Sequence, residues 1–238
     1  MTTAKKHFDE DIARALALLE NARILSIAAP GDQLHNDVRG AAVALTVGAM
    51  DAYLCDKYAD CLTNALKAYL NRTWPGKFPA SFYKQLLPAG EVLSAQRTHR
   101  PLWNIRMAAR AYAESAYMYS IGKLDDLFNG ILPPANKLWV GLVAPLAALN
   151  MVRFTRHHTT ALAAMRAKPL QKAQKELLAS VKSRIGATVQ FRHDWIHNCA
   201  RPKQAIVNYT HLEARAAISE IKYFIDIFET YIEAFRIK

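Results

Sequence analysis

The chain has 238 residues, of which 52% are hydrophobic and 21% are charged. This composition excludes a disordered chain and is sufficient for a buried core without disulfides or structural metals. The three cysteines show neither a metal-ligand spacing nor an even number for a disulfide framework. The first eleven residues are polar and charged, and the longest apolar runs, Gly40–Met50 and Leu138–Leu149, are shorter than the roughly 18–20 residues of a membrane span. We therefore expect a cytoplasmic protein with no signal peptide and no membrane association.

The net charge of +11 is unevenly distributed. Residues 1–65 and 204–238 are slightly acidic, whereas residues 66–165 carry +8 and residues 166–203 carry +7. The last of these segments has nine Lys or Arg residues against Glu176 and Asp194. Such a segment attracts polyanions. An ordinary lysine-rich helix face in solvent gives the same pattern, so charge alone leaves both interpretations open.

Helical spacing of apolar residues dominates the first third of the chain. Residues 4–27 predict a first helix, with Ile12, Ala15, Leu16, Leu19 and Ile24 on its apolar face. The Pro30-Gly31-Asp32 turn ends it. Residues 37–70 predict a long helix with an apolar, buried middle. Residues 71–88 are rich in proline and aromatic side chains and predict an insertion with at most a short helix.

The rest of the chain also follows the helical period. Pro101 suits a first helical position, and the pattern predicts a helix to about Asn129. Residues 138–165 predict one or two helices, and a further helix opens at Pro169 and reaches residue 197. After a loop, Thr210 and Glu213 form a capping box before a last helix to about residue 235. No segment alternates at period two, so we expect one all-α domain covering residues 1–238.

The stretch Arg192-His193-Asp194-Trp195-Ile196-His197 holds the residues best suited to chemistry on phosphate. A guanidinium matches phosphoryl oxygens, and an imidazole exchanges protons near neutral pH. On a regular helix Arg192 and His197 lie about 140° apart, so they converge only if the helix ends or kinks, or if the arginine stem wraps around it. Arg192 falls within a predicted apolar stripe, formed by Leu178, Val181, Ile185, Thr188, Val189 and Ile196.

Two other interpretations of this stretch remain open. An arginine within an apolar stripe is also typical of a structural ion pair between helices. The letters His193-Asp194-Trp195-Ile196-His197 give H-D-x-x-H, which differs by one methylene from the zinc-protease motif. Glu213 or Glu220 would then be the third zinc ligand. Aspartate is a poor replacement for the catalytic glutamate of that motif.

Three segments resemble the HEPN superfamily, and in particular its RiboL-PSP type. Residues 192–198 resemble the R-x4–6-H signature, with a polar residue directly after the arginine, and are followed by a short loop and a capped last helix. Residues 39–53 resemble the second helix of these proteins, an arginine and an apolar run leading into Asp51-Ala52-Tyr53. Residues 121–129 are similar to their middle segment, more weakly.

The resemblance implies an all-α helical bundle of the HEPN type, with extra helices and the insertion described above. It implies a metal-independent endoribonuclease of the toxin or defence type, without a cofactor, that acts on RNA as a homodimer. By the match, His197 is the acid/base, Arg192 holds the phosphate, and His193 supports them.

We assign three further residues a supporting role and four a role in RNA binding. Asp51 is the candidate ion-pair partner of Arg192. The sequence is equally consistent with Asp51 being an ordinary aspartate on a helix surface. Arg39 and Asn198 complete the supporting set. The candidate RNA-backbone contacts are Lys172, Lys175, Lys182 and Arg201.

The sequence leaves open how the protein is regulated and whether it cleaves RNA. HEPN toxins paired with a nucleotidyltransferase often carry a modified tyrosine two residues after the motif histidine, and this chain has Cys199 there. Any antitoxin or regulatory protein is therefore expected to act by covering the site. Some HEPN proteins bind without cleaving, so a non-catalytic RNA- or partner-binding module is the alternative function.

Overall fold

Helices form all regular structure in the described part of the chain, which in the computed structural model comprises residues 2–74, 86–94, 100, 102–115, 121–132, 136–148, 167–197 and 208–235. The α-helices, numbered in chain order, are α1 (Thr3–Ala28), α2 (Leu34–Leu70), α3 (Ala89–Ser94), α4 (Trp103–Ser115), α5 (Leu124–Phe128), α6 (Leu138–Ala148), α7 (Ala167–His197) and α8 (His211–Ala234). The predicted all-α class is confirmed for these residues.

Several helix boundaries differ from the sequence prediction. The helices predicted over residues 4–27 and 37–70, the one opening at Pro169 and the last one are present as α1, α2, α7 and α8. The single helix predicted from Pro101 to Asn129 is wrong, because a 3-10 turn at Ile121–Lys123 leads into the separate helix α5. Helix α3 was not predicted. Most of the 71–88 insertion and residues 149–165 lie outside the described residues.

Local hydrogen bonds explain where three of these helices begin or end. The hydroxyl of Thr2 accepts from the amide of Lys5 at the start of α1. The capping box of α8 is confirmed, since the Glu213 amide donates to the Thr210 hydroxyl at 3.2 Å and the Thr210 amide donates to the Glu213 carboxylate at 2.8 Å. Helix α2 ends at Leu70. Just beyond it, the Arg72 amide donates to the Tyr69 carbonyl at 3.1 Å, and the φ of Arg72, 56°, is the left-handed conformation that terminates many helices.

The chain divides into two compact units, and the first contains Met1–Tyr53 and Ser183–Asp226. Its core includes Phe8 of α1 against Tyr53 of α2, with ring centroids 5.6 Å apart. The apolar middle of α2 is buried as predicted. Leu16 and Ile24, which were predicted for the buried face of α1, are instead 40% and 52% exposed. The buried positions of α1 are Ala4, Lys5, Phe8, Ile12, Ala15, Leu19 and Ala22.

Two ion pairs inside this first unit each involve one buried side chain. The Lys5 ammonium lies 2.8 Å from the Asp226 carboxylate of α8. Arg184 of α7 donates from two nitrogens, at 3.0 and 2.9 Å, to one oxygen of Glu220, which is 3% exposed. A buried carboxylate is tolerated only when such charged donors replace its water. Both pairs therefore fix α8 to its neighbours.

The second unit contains Leu54–Lys182 and Ile227–Lys238. Its core is aromatic, with Phe128 edge-on to both Tyr58 and Phe228 at centroid separations of 5.8 and 4.9 Å. Lys57, only 1% exposed, pairs with Glu229 at 2.5 Å and also with Glu233. Three elements of this unit, α2, α5 and α8, thus meet through aromatic edges and one buried lysine.

Helix α2 is long and apolar enough to cross a membrane by length and composition alone, with a mean hydropathy of 1.3 over its most apolar window. The uninterrupted apolar run Gly40–Met50, used in the sequence analysis, is shorter than the apolar part of this helix and therefore did not predict it. More than half of that window, 56%, is buried inside the protein. Burial of this kind is what a core helix requires, because its apolar side chains then pack on other helices.

Candidate functional site

The motif lies in the last two turns of α7, which remains α-helical through His197. On this half of α7 the buried positions are Ile185, Thr188, Val189 and Phe191. The predicted stripe was therefore partly wrong: Phe191 belongs to the buried face, whereas Ile196 is 45% exposed. The buried face includes Phe191, whose ring stacks on Tyr209.

The three motif side chains occupy different environments. Arg192 is half-buried, and His193 and His197 are both exposed. The two imidazole rings are neighbours on one face, with centroids 4.6 Å apart and planes tilted by 46°. Because the helix continues regularly through this stretch, Arg192 and His197 project about 140° apart within one chain. No kink between residues 192 and 197 turns one side chain toward the other.

The indole of Trp195 anchors the motif to the first turns of α2. A Cβ atom at Gly40 would lie 2.7 Å from Cδ1 and 2.9 Å from Cε2 of Trp195, closer than such atoms approach in proteins. Only glycine therefore allows the indole to lie directly on the α2 backbone. This contact fixes the end of α7, and with it the direction in which Arg192 and the histidines project.

Arg39, which precedes this glycine, has a structural role at the same end of α2. It is 9% exposed, and one of its terminal nitrogens donates to Asn36 at 3.0 Å and to the Tyr209 carbonyl at 2.6 Å. Burial lowers the pKa of the Arg39 guanidinium. The ring of Tyr209 in turn stacks on Phe191 at 4.1 Å. Arg39 thus links α2 to the residue before the α8 cap, and its supporting role at the motif stays a prediction.

The remaining supporting residues are Asp51 and Asn198. Asp51 is half-buried on α2, on the same side as Gly40 but about 16 Å further along the helix axis. Its pairing with Arg192 stays a prediction. Asn198 and Arg201 lie outside the described residues.

The three candidate RNA-binding lysines lie on the part of α7 that belongs to the second unit. The side chain of Lys172 is 82% exposed, and Lys175 is exposed as well. Lys172 and Lys182 each lie 3.9 Å from an acid, Glu176 and Asp125 respectively. Lys182 differs because its side chain is only 35% exposed and its ammonium lies 4.2 Å from the centroid of the Trp139 ring. Lys172 and Lys175 are therefore the more accessible cations.

The two carboxylates proposed as a third zinc ligand are engaged elsewhere. Glu220 is buried against Arg184, and Glu213 closes the capping box with Thr210. Within the described ranges, no group of three or more His, Cys, Asp or Glu side chains is placed to hold a metal ion. The described residues thus give the zinc-hydrolase interpretation no third ligand.

Sequence reasoning missed the residues that position the motif. The Trp195–Gly40 contact joins residues more than 100 positions apart, and the Phe191–Tyr209 contact joins residues 18 positions apart. The spacing of apolar residues along the sequence indicates neither contact. Sequence reasoning also did not single out His35 and His211, whose Nδ1 atoms are buried and accept or donate no hydrogen bond among the described groups.

Comparison with known proteins gives no match: no family model, no curated protein and no solved structure matches this chain. The functional interpretation therefore depends on the motif, its geometry and the charge of the chain.

Proposed function

We propose that the protein is a metal-independent endoribonuclease of the HEPN type, acting in a toxin or defence role. The observation that carries the proposal is the pair of exposed, adjacent imidazoles of His193 and His197, in the same short stretch of α7 as the half-buried Arg192. Acid/base catalysis on RNA needs accessible imidazoles, and phosphate binding needs a fixed cation. The capped helix that follows and the basic charge of residues 166–203 agree with this proposal.

The proposed reaction uses only groups of the chain and of the RNA. An imidazole takes the proton of a ribose 2′-hydroxyl, and the resulting oxygen attacks the adjacent phosphorus. The guanidinium of Arg192 neutralises the added charge on the phosphoryl oxygens. A second imidazole gives a proton to the 5′-oxygen as the P–O5′ bond breaks. The products are a 2′,3′-cyclic phosphate and a 5′-hydroxyl, and each protonation step contributes about 10²–10⁴ to the rate.

A second copy of the chain completes this site. Within one chain Arg192 and His197 project about 140° apart, so a phosphate held by Arg192 is not in line with its own His197. Two-fold symmetry places each motif opposite its copy, so that Arg192 of one protomer faces the partner's His197. We therefore propose a homodimer with RNA bound in the cleft between the two α7 ends. His193 provides the second imidazole beside each His197.

The deciding experiment incubates the purified chain with RNA in excess EDTA. We expect cleavage that leaves cyclic phosphate ends, and loss of cleavage in Arg192→Ala and in His197→Ala with unchanged helicity and melting temperature. Matched controls are Arg215→Ala and His7→Ala, which remove an exposed arginine and an exposed histidine from α8 and α1. Normal cleavage by folded Arg192→Ala and His197→Ala proteins would contradict the assignment.

The same experiment tests the alternative function. A non-catalytic module binds RNA or a partner protein through its basic surface, with Arg192 as a structural residue. Salt-dependent RNA binding without cleavage, in EDTA and in added metal, would favour this alternative. Cleavage that EDTA abolishes would favour a metal-dependent hydrolase.

A further inference from the structure

The two imidazoles of the motif also have the arrangement of a metal chelate. His193 and His197 are separated by one helical turn, both are exposed, and their ring centroids are 4.6 Å apart. Two histidines at this spacing on one helix face are a recurring half of protein metal sites. The neutral imidazole is also the commonest side-chain ligand of late first-row metals.

The ring separation indicates which coordination geometry fits. A metal about 2.0–2.1 Å from a ring nitrogen lies about 3.2 Å from the centroid of that ring. Two centroids 4.6 Å apart would subtend about 90° at a metal ion that lies along a nitrogen lone pair of both rings. This is the cis angle of the tetragonal sites that Cu²⁺ and Ni²⁺ prefer. Tetrahedral Zn²⁺ needs centroids about 0.6 Å further apart, which a small rotation of either side chain supplies.

The local charge also favours a cation at this position. His193 and His197 flank a short stretch that contains one acidic residue. Asp194 lies between them in sequence, and Gln190 donates to its carboxylate at 3.1 Å. A divalent ion held by the two rings thus has a carboxylate next in sequence to one of its ligands.

We propose that His193 and His197 form a site for one late first-row divalent metal ion per chain, binding Cu²⁺ more tightly than Zn²⁺ as the general affinity order of these ions requires. Two protein ligands leave the other coordination positions to water, so the site is reversible. This metal site does not depend on any enzymatic activity.

The consequence for activity does rest on the proposed function. Each imidazole uses its lone pair either for the metal ion or for a proton, never for both. An occupied site therefore removes both acid/base groups of the motif at once. We infer that bound Cu²⁺ or Zn²⁺ inhibits RNA cleavage, so that metal regulates a nuclease that needs no metal for catalysis.

Binding is tested first, without RNA, on the full chain. CuCl₂ is titrated into the protein, and electron paramagnetic resonance counts the coordinated imidazole nitrogens. ZnCl₂ is titrated in parallel by calorimetry. We expect two nitrogens per Cu²⁺ in the wild type, one in His193→Ala and in His197→Ala, and at least tenfold weaker binding in both variants. His7→Ala, a lone exposed histidine on α1, serves as the control and is expected to bind as the wild type does.

The outcomes separate the site from its consequence. Equal metal affinity in the wild type, His193→Ala and His197→Ala, all with the same circular dichroism, would overturn the site. In the second arm, RNA cleavage is measured at buffered free metal that saturates the wild type, and EDTA is then added. Two-nitrogen binding without any nuclease activity leaves the metal site standing and removes the proposed function. Undiminished cleavage by metal-saturated protein overturns the inhibitory role.

Discussion

At the scale of single residues, the contact between Gly40 and Trp195 determines how the motif is held. The indole fills the space that a Cβ atom at position 40 would need. A backbone hydrogen at one position of α2 thus allows the end of α7 to approach closely. Glycine inside a helix is unfavourable by roughly 1 kcal/mol relative to alanine. At position 40 this cost is offset by the close packing of the indole that only glycine allows.

This contact predicts opposite effects for two alanine substitutions on α2. In Gly40→Ala the new methyl group overlaps the indole, so we expect a net loss of about 1–3 kcal/mol in the free energy of unfolding despite the better helix propensity. Gly48→Ala is the matched control: nothing lies within 4 Å of its Cβ, and we expect a gain of about 0.5–1 kcal/mol. Urea denaturation measures both. A stabilised Gly40→Ala protein would show that the indole moves aside freely.

A second residue-scale prediction concerns Asp226 and acid. Burial alone would raise the pKa of Asp226, but hydrogen bonds from Lys222 and Lys5 outweigh it and lower that pKa below its ordinary 3.8. A carboxyl group with a lowered pKa stabilises the fold above its unfolded-state pKa and loses this contribution as pH falls through the folded value. Stability should therefore fall steeply below about pH 4.

The test compares Asp226→Asn with the wild type between neutral and strongly acidic pH. At neutral pH we expect the variant to lose roughly 1 kcal/mol, because the buried Lys5 keeps only its pair with Asp9. Its stability should then decrease less than that of the wild type as the pH is lowered. Asp11→Asn, which breaks an exposed pair with Arg14, is the control and should leave the acid response nearly unchanged. If the free energy of unfolding fell equally with decreasing pH in the wild type and in Asp226→Asn, the titration of Asp226 would not contribute to acid stability.

At the scale of the elements, the start of α8 does two things at once. Its capping box satisfies the first amides of the helix. It also fixes Tyr209, whose carbonyl accepts from Arg39 and whose ring stacks on Phe191. A cap at this position therefore supports the residues that hold α7 as well as α8 itself.

The capping box predicts a graded series at position 210. Thr210→Ala removes the oxygen that accepts from Glu213 and should cost about 1 kcal/mol, within a range of 0.5–2. Thr210→Ser keeps that oxygen and should stay within a few tenths of the wild type. Thermal melting followed by circular dichroism measures the series. Equal melting temperatures for the alanine and serine variants would mean that the hydroxyl contributes nothing.

Element prediction succeeded where the signal is local and failed where it is not. The start of α8 carries Thr210 and Glu213, whose capping box is read directly from neighbouring residues. The break before α5 has no such mark, because the segment around Gly122 keeps a helical apolar pattern while the chain turns through a 3-10 step. The exposure of Leu16 and Ile24 also depends on which helices lie beside α1, and spacing does not specify neighbours.

The sequence predicted which residues form the candidate site, but not the contacts that hold them. The motif residues and the adjacency of His193 and His197 follow from the sequence and from helical geometry. The burial of Phe191 does not, since its ring stacks on Tyr209 outside α7. The same applies to Arg39, whose partner carbonyl lies 170 positions away in the chain.

At the scale of the whole molecule, the net charge of +11 predicts how the proposed binding to RNA responds to salt. Lys172 and Lys175 are exposed, whereas Lys182 lies over Trp139 beside Asp125. A lysine that contacts phosphate contributes about 0.7–0.9 to the slope of log affinity against log salt concentration.

Replacing Lys172 and Lys175 by glutamine should therefore weaken RNA binding evenly across sequences and reduce that slope by about one or more. Lys182→Gln should change it less, because this ammonium is already engaged within the protein. Fluorescence anisotropy at several salt concentrations gives the slopes. Equal slopes for the wild type and the double variant would place the RNA surface elsewhere.

The oligomeric state is the last property that the geometry of the motif predicts. Helix α7 is regular through His197, so one chain directs Arg192 and His197 to different sides. If Arg192 of one protomer works with the partner's His197, a dimer of Arg192→Ala and His197→Ala chains retains one intact site of its two. Half of the dimers in an equal mixture are mixed, so mixing two inactive proteins should restore about a quarter of the wild-type activity. Activity of the wild type should also fall on dilution below the dissociation constant of the dimer. Sedimentation and cleavage assays on the same samples test both expectations. A monomer with constant specific activity at all concentrations, and no recovery on mixing, would show that a single chain contains the complete site.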